Sequence, residues 1–149
     1  MAGVTLRIDD SQVQAALSRL TGRMENLTPV FKNIGEYMTS SILERFDDEV
    51  DFEGNKWAAL TAATIARKQK KGKILKILQQ DGDLRRTVVY LAGANKVEIG
   101  TNRIYGAIHQ FGGRAGRGRK VVIRARPFLG VSAADSLEVV SIVEEFLVG

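Results

Sequence analysis

RIYGAIHQFGGRAGRGRKVVIRARPFLG, residues 103–130, decides how the second half of this chain is built. Arg103 to His109 fits a short helix, Gly112 to Gly118 a glycine-rich loop, and Val121-Val122-Ile123 a short apolar run of β-formers. Pro127 fixes its own φ and pushes Arg126 towards an extended conformation. Phe128 and Leu129 then anchor the start of the last helix. Tyr105, His109 and Phe111 form an aromatic anchor before the loop, and Gln110 and Gly112 complete its root. From Arg103 to Arg126 there are seven basic residues and no acidic one. A basic arm tethered at both ends to a packed core suits contact with something large.

Working outward, Ser132-Ala133-Ala134-Asp135 has the spacing of a capping box. Leu137, Val140, Val143 and Leu147, with Val139 and Phe146, make the last helix amphipathic. Before the quoted stretch, residues 87–91 and 96–100 read as two strands of an antiparallel hairpin turned at Gly93-Ala94-Asn95. Asp81-Gly82-Asp83 is a turn signal, while Ile74, Leu75, Ile77 and Leu78 fit either a short helical turn or a buried run. Thr61 caps a short helix over 62–71, ended by Gly72. That helix and its exit carry Arg67, Lys68, Lys70, Lys71, Lys73 and Lys76, with Trp57 and Leu60 ahead of them.

Thr28-Pro29 opens a longer helix with a capping hydroxyl and proline at the first helical position. Phe31, Ile34, Met38, Ile42 and Phe46 are its apolar stripe. Asp47-Asp48-Glu49 is badly placed at a helix C-terminus, so fraying is expected into a loop at 52–55. Asp9-Asp10-Ser11 caps a first helix carrying Val13, Ala16, Leu17, Leu20 and Met24. Residues 4–8 alternate as a half-buried strand. The sum is an α+β domain: a small antiparallel sheet of about four strands, two longer helices and a C-terminal amphipathic helix.

With 149 residues the chain fits one domain, residues 1–149, with one core. It has no cysteine, hence no disulfide or thiolate site, and no apolar run of membrane-spanning length. Its first residues lack the features of a signal peptide. Net charge is +5, unevenly spread: residues 54–80 carry seven basic and no acidic groups, whereas 127–149 carry four acidic and no basic ones. Such polarity fits nucleic acid, an acidic partner, or a subunit whose positive face meets its neighbour's negative face.

Catalytic readings find little to use. His109 is the sole histidine, and no Asp or Glu lies between Glu98 and Asp135, so it reads as a packing or hydrogen-bonding residue. The acidic run Asp47 to Glu53 lacks the ligand alternation of a calcium loop. The glycine-rich loop has no Gly-Lys-Ser/Thr and no G-x-G-x-x-G before a helix. No cofactor, metal or catalytic group is expected.

The order of motifs says more. Trp57-x-x-Leu60, Gly82-x-Leu84-Arg85, Val97-Glu98-Ile99-Gly100, Tyr105-Gly106-x-x-His109-Gln110-Phe111-Gly112 and Arg126-Pro127-Phe128-Leu129-Gly130 follow in turn. From about residue 30 onward the chain resembles the phage virion morphogenesis family, the tail completion proteins of Mu-like and related tailed phages. Gly106, where alanine is common, and Asp81, where a hydroxyl residue is common, are departures. The resemblance implies a non-enzymatic structural protein of the tail or neck, made in the bacterial cytoplasm. It implies self-association, as in the head–tail joining proteins of which several form rings, and contact with tail or head-neck proteins. Arg114, Arg117, Arg119, Lys120, Arg124 and Arg126, with Arg67, Lys68, Lys70 and Lys71, are the expected contact residues; this follows from their charge and not from the family. The alternative is nonspecific binding of nucleic acid by the same two blocks.

Overall fold

A computed structural model describes residues 3–7, 11–79 and 81–148. Ile8, Asp9 and Asp10, expected to end the first strand and cap the first helix, lie outside the described residues. The elements are β1 (Val4–Arg7), α1 (Ser11–Thr21), α2 (Thr28–Asp48), α3 (Ala62–Lys70), α4 (Asp83–Arg86), β2 (Val89–Ala92) and β3 (Val97–Thr101), then α5 (Gly106–Phe111), β4 (Gly113–Ala115), β5 (Val121–Ile123) and α6 (Ala133–Val148). The α+β class holds, but the strands divide differently from the expectation. Three form an antiparallel sheet in the order β1-β3-β2, and β4 and β5 pair only with each other. Val121–Ile123 therefore belongs to a separate hairpin, because Gly112 to Gly118 turns the chain back on itself instead of carrying it to the sheet.

Helix α2 organises the core. It lies across β2 and β3 on one side and against α6 on the other, and α6 packs on α1. Its apolar stripe is buried as the spacing requires: Phe31, Ile34, Met38, Ile42 and Phe46 all face inward. Each such side chain contributes about 1.5–3 kcal/mol when fully buried. Ile99 of the central strand, paired with Leu6 and Tyr90 on its two sides, is buried beside them.

Both ends of α2 depart from the sequence reading. Thr28 is already helical, and Asn26 Oδ1 accepts the Thr28 backbone N–H at 3.0 Å, so the capping oxygen comes from two residues earlier than expected. The acidic C-terminus does not fray. Glu49 adopts a left-handed conformation and its N–H returns to Arg45 O. Lys76 Nζ donates to Asp47 O at 3.0 Å, Lys56 Nζ to Asp48 O at 3.2 Å and Gln79 Nε2 to Phe46 O at 3.1 Å. The last-turn cation of the helix itself, Arg45, is turned to Asp135, and the segments that follow supply two lysines and an amide to the free carbonyls, which complements the dipole. Ile74 to Leu78 is neither a helical turn nor a buried run: Ile77 is buried, whereas Ile74 and Leu75 are exposed.

A second stripe on α2 went unread in the sequence. Tyr37, Ser41 and Arg45, at successive i,i+4 positions, converge on the buried Asp135 of α6. The Tyr37 and Ser41 hydroxyls each donate to Oδ1 at 2.8 Å, and Arg45 Nη2 pairs with Oδ2. Asp135 also closes the expected capping box, its N–H donating to Ser132 Oγ and its Oδ2 accepting the Ser132 N–H, both at 3.0 Å. Burial alone would raise the Asp135 pKa. The Ser132, Ser41 and Tyr37 donors and the Arg45 charge outweigh it and hold the carboxyl below its ordinary value. Burial and this carboxylate push the Tyr37 phenol up to about 12.

Asp135→Ala leaves Arg45 buried without its counter-charge and removes the cap, so urea denaturation should show a loss of about 3–5 kcal/mol. A depressed carboxyl stabilises fully above its unfolded value, near 3.8, and that contribution disappears as pH falls through the lower folded value. The wild type should therefore lose stability below about pH 4 more steeply than Asp135→Ala; equal slopes would contradict the assignment.

Candidate assembly interface

The segment Pro127–Gly130 is neither helix nor strand, yet Phe128, Leu129 and Gly130 are buried. Its backbone groups must find partners elsewhere, and side chains provide them. Trp57 Nε1 donates to Pro127 O at 2.8 Å, Arg45 Nη1 to Phe128 O at 3.1 Å and Gly130 O at 2.8 Å, and Gln110 Nε2 to Leu129 O at 2.8 Å. Gln110 Oε1 also accepts the N–H groups of Phe128 (3.0 Å) and Leu129 (2.9 Å). The Phe128 ring meets Phe46, which meets Trp57 edge-on, each at 5.5 Å between centroids. Gly130 carries no side chain because a Cβ there would lie 2.2 Å from the Phe52 ring.

Arg126 locks the other flank. Its N–H donates to His109 O at 2.7 Å, and its guanidinium to Ala58 O at 2.8 Å and Ala59 O at 3.4 Å. Expected among the free contact cations, Arg126 instead ties the hairpin root to the Trp57–Leu60 segment. Lys68 is a second correction. It is buried, its Nζ donates to Lys76 O at 2.9 Å, and burial lowers its pKa. The loop between Trp57 and Leu78 folds over it, so only Arg67, Lys70 and Lys71 of the expected α3 set remain exposed.

His109 packs edge-on against Tyr105, 6.0 Å between centroids, at a cleft of about 410 Å³ shared with Leu60, Thr64, Asp83 and Arg126. Its Nδ1 is buried and has no hydrogen-bond partner among the described residues. Burial first, then the Arg126 charge, lowers its pKa and keeps the ring neutral at pH 7. Among the described residues no three His, Cys, Asp or Glu side chains are placed to hold a metal ion, and no helix is long and apolar enough to cross a membrane. Phe111 corrects the anchor reading in the opposite direction: it is 71% exposed and points away from the core.

Beyond the root the glycine-rich stretch is a β-hairpin, not an open loop. Gly112 starts it at φ 75, where a Cβ would come within 2.9 Å of Ala125 N. Arg114 pairs with Val122 and Ala115 with Val121, and a 3-10 turn at Arg117–Arg119 closes the tip. Arg114, Arg117, Arg119, Lys120 and Arg124 are all exposed. None of their side chains has a carboxylate or carbonyl partner among the described residues. Sequence reasoning missed Arg45, Tyr37, Ser41 and Asp135 as the base under this hairpin; their i,i+4 spacing opposite the apolar stripe was the available signal.

Gln110→Ala strips partners from three backbone groups of Phe128 and Leu129, and chemical denaturation should register a loss of at least about 2 kcal/mol. A loss under about 0.5 kcal/mol would refute the clasp. In proton NMR the single imidazole should titrate below the ordinary 6.5. A depressed histidine costs nothing at high pH, so His109 should weaken folding only as pH falls through 6.5 towards its folded value.

The model of the phage virion morphogenesis family matches residues 8–148. The chain is 29% identical over 144 residues to "Mu-like prophage FluMu G protein 2" of Haemophilus influenzae, covering 96% of this chain and 95% of that one. It is 28% identical over 139 residues to "Putative capsid assembly protein G" of Escherichia phage Mu, covering 91% and 88%. No solved structure matches. Matched over nearly its whole length, the chain belongs to the phage virion morphogenesis family and takes part in building the phage particle.

Proposed function

We propose that this protein completes the phage tail or neck and helps join tail to head by associating with copies of itself and with neighbouring tail or head-neck proteins. The observation behind this reading is a contrast in one segment. The hairpin root is fixed to the core by Gln110, Trp57, Arg45 and Arg126. The hairpin holds out five cations whose side chains have no partner among the described residues, with the exposed apolar Val121 and Val122, and Phe111 is exposed at its root. A preorganised projection of mixed charge and apolar surface suits docking between rigid protein parts, since little ordering entropy is lost on contact. Its work is positioning and adhesion, by shape and charge complementarity, within the assembled particle. The name of the phage Mu relative, a capsid assembly protein, agrees with an assembly role.

A second reading has an observation in its favour. Arg67, Lys70 and Lys71 on α3 add to the hairpin cations, and Phe111 offers an aromatic face. Nonspecific nucleic-acid binding would then show an affinity that falls steeply and linearly on a log–log plot against salt.

Solution mass by light scattering after size exclusion separates the readings. The wild type should run as an oligomer at low salt, and deletion of residues 114–120 should reduce it to a monomer with its thermal unfolding intact. A wild-type monomer at every concentration, or an oligomer indifferent to the deletion, would contradict self-association through the hairpin.

A further inference from the structure

The strand register gives the hairpin two unlike faces. Arg114 stands opposite Val122. Arg124 follows Val122 by two residues just past the end of β5, and Lys120 precedes it as the cap of the 3-10 turn, so two further exposed cations border Val122 along the chain. The other face begins at Gly113, where a Cβ would lie 3.4 Å from Ile108 of α5, and turns towards the body. The outward side of the hairpin therefore offers Val122, 65% exposed, with Arg114 across from it and Lys120 and Arg124 at the two ends of β5.

Helix α6 presents the same mixture with opposite sign. Glu138, Ser141 and Glu145 fall on one exposed side at i, i+3 and i+7, beside the exposed Leu137 and Val148. Asp135 is used internally by Arg45, and Glu144 lies 3.9 Å from Arg19. Glu138 and Glu145 have no cation partner among the described residues. Of the carboxylates at the end of α2, Asp47 pairs with Arg85, Glu49 accepts the Ile77 N–H and Asp51 accepts N–H groups of its own loop, while Asp48 and Glu53 are exposed with no side-chain partner among the described residues. Spacing agrees as well. Lys120 and Arg124 can be at most about 13 Å apart, the reach of four extended residues, and Glu138 and Glu145 are about 10 Å apart along a helix. Long side chains absorb that difference.

We propose that the outward face of the β4–β5 hairpin of one copy docks on the solvent face of α6 of a second copy, Lys120 and Arg124 meeting Glu138 and Glu145, with Val122 against the apolar flank of the helix. The proposal rests on the self-association reading and names its two surfaces. They differ, so each copy gives one and receives one. Such a head-to-tail contact closes into a ring if its rotation allows.

The test uses K120E/R124E, E138K/E145K, an equimolar mixture of the two, and the fourfold variant, all by light scattering at about 0.1 M salt, where opposed charges are still felt across about 10 Å. Each double variant alone sets like charges against each other and should be monomeric. The fourfold variant restores opposite signs at every contact and should regain the wild-type mass, and the mixture restores them wherever the two variants alternate and should associate where neither does alone. Unchanged thermal unfolding of each variant shows that folding is intact. An oligomeric wild type whose mass survives both double variants, or a mixture that stays monomeric, would overturn the pairing while leaving self-association standing. A wild type that is monomeric throughout would overturn both.

Discussion

The carbonyls of Pro127 to Gly130, outside any helix or sheet and on a segment whose last three residues are buried, place the governing constraint on this molecule. Leaving them unpaired would cost about 1–3 kcal/mol each. Trp57, Arg45 and Gln110 satisfy them from three separate parts of the chain. Each of these donors is itself fixed. Arg45 is held by Asp135 on α6, Trp57 by the Phe46 ring, and Gln110 by its own return bonds from Phe128 and Leu129. The order of α2, α5 and α6 thus depends on one irregular segment, and that segment carries the hairpin.

The same constraint divides the charges into two populations. Much of the basic block after residue 54 is consumed inside the fold, with Lys56, Lys68 and Lys76 on backbone carbonyls and Lys73 on Asp81. These cations complete α2 and close the loop over the core. The hairpin cations have no such task, and their side chains have no partner among the described residues. A segment held this firmly at its root and this openly at its tip is suited to joining one rigid body to another.

Much of the fold was legible in the sequence because its signals were local. The α2 stripe, the 87–101 hairpin, the Thr61 cap and the Ser132–Asp135 capping box each depend on spacing within a few residues. What was not legible depends on distant partners. The C-terminus of α2 looked frayed because its stabilising lysines lie up to 29 residues away. Lys68 and Arg126 looked like free cations because the carbonyls that bind them belong to other segments. Phe111 looked like an anchor because an aromatic beside His109-Gln110 is indistinguishable in sequence from a buried one. The glycine-rich stretch reads as loop or hairpin alike until Val121 to Ile123 is given a partner.

The central claim is that the hairpin root is as rigid as the core, and native-state hydrogen exchange tests it residue by residue. The amides of Arg126, Phe128 and Leu129 should be protected to the level of Ile42 and Phe46 in α2, while those of residues 117–119 at the tip exchange quickly. Root amides exchanging at the rate of the tip, with α2 still protected, would mean that the arm is loosely tethered and that the clasp does not hold it.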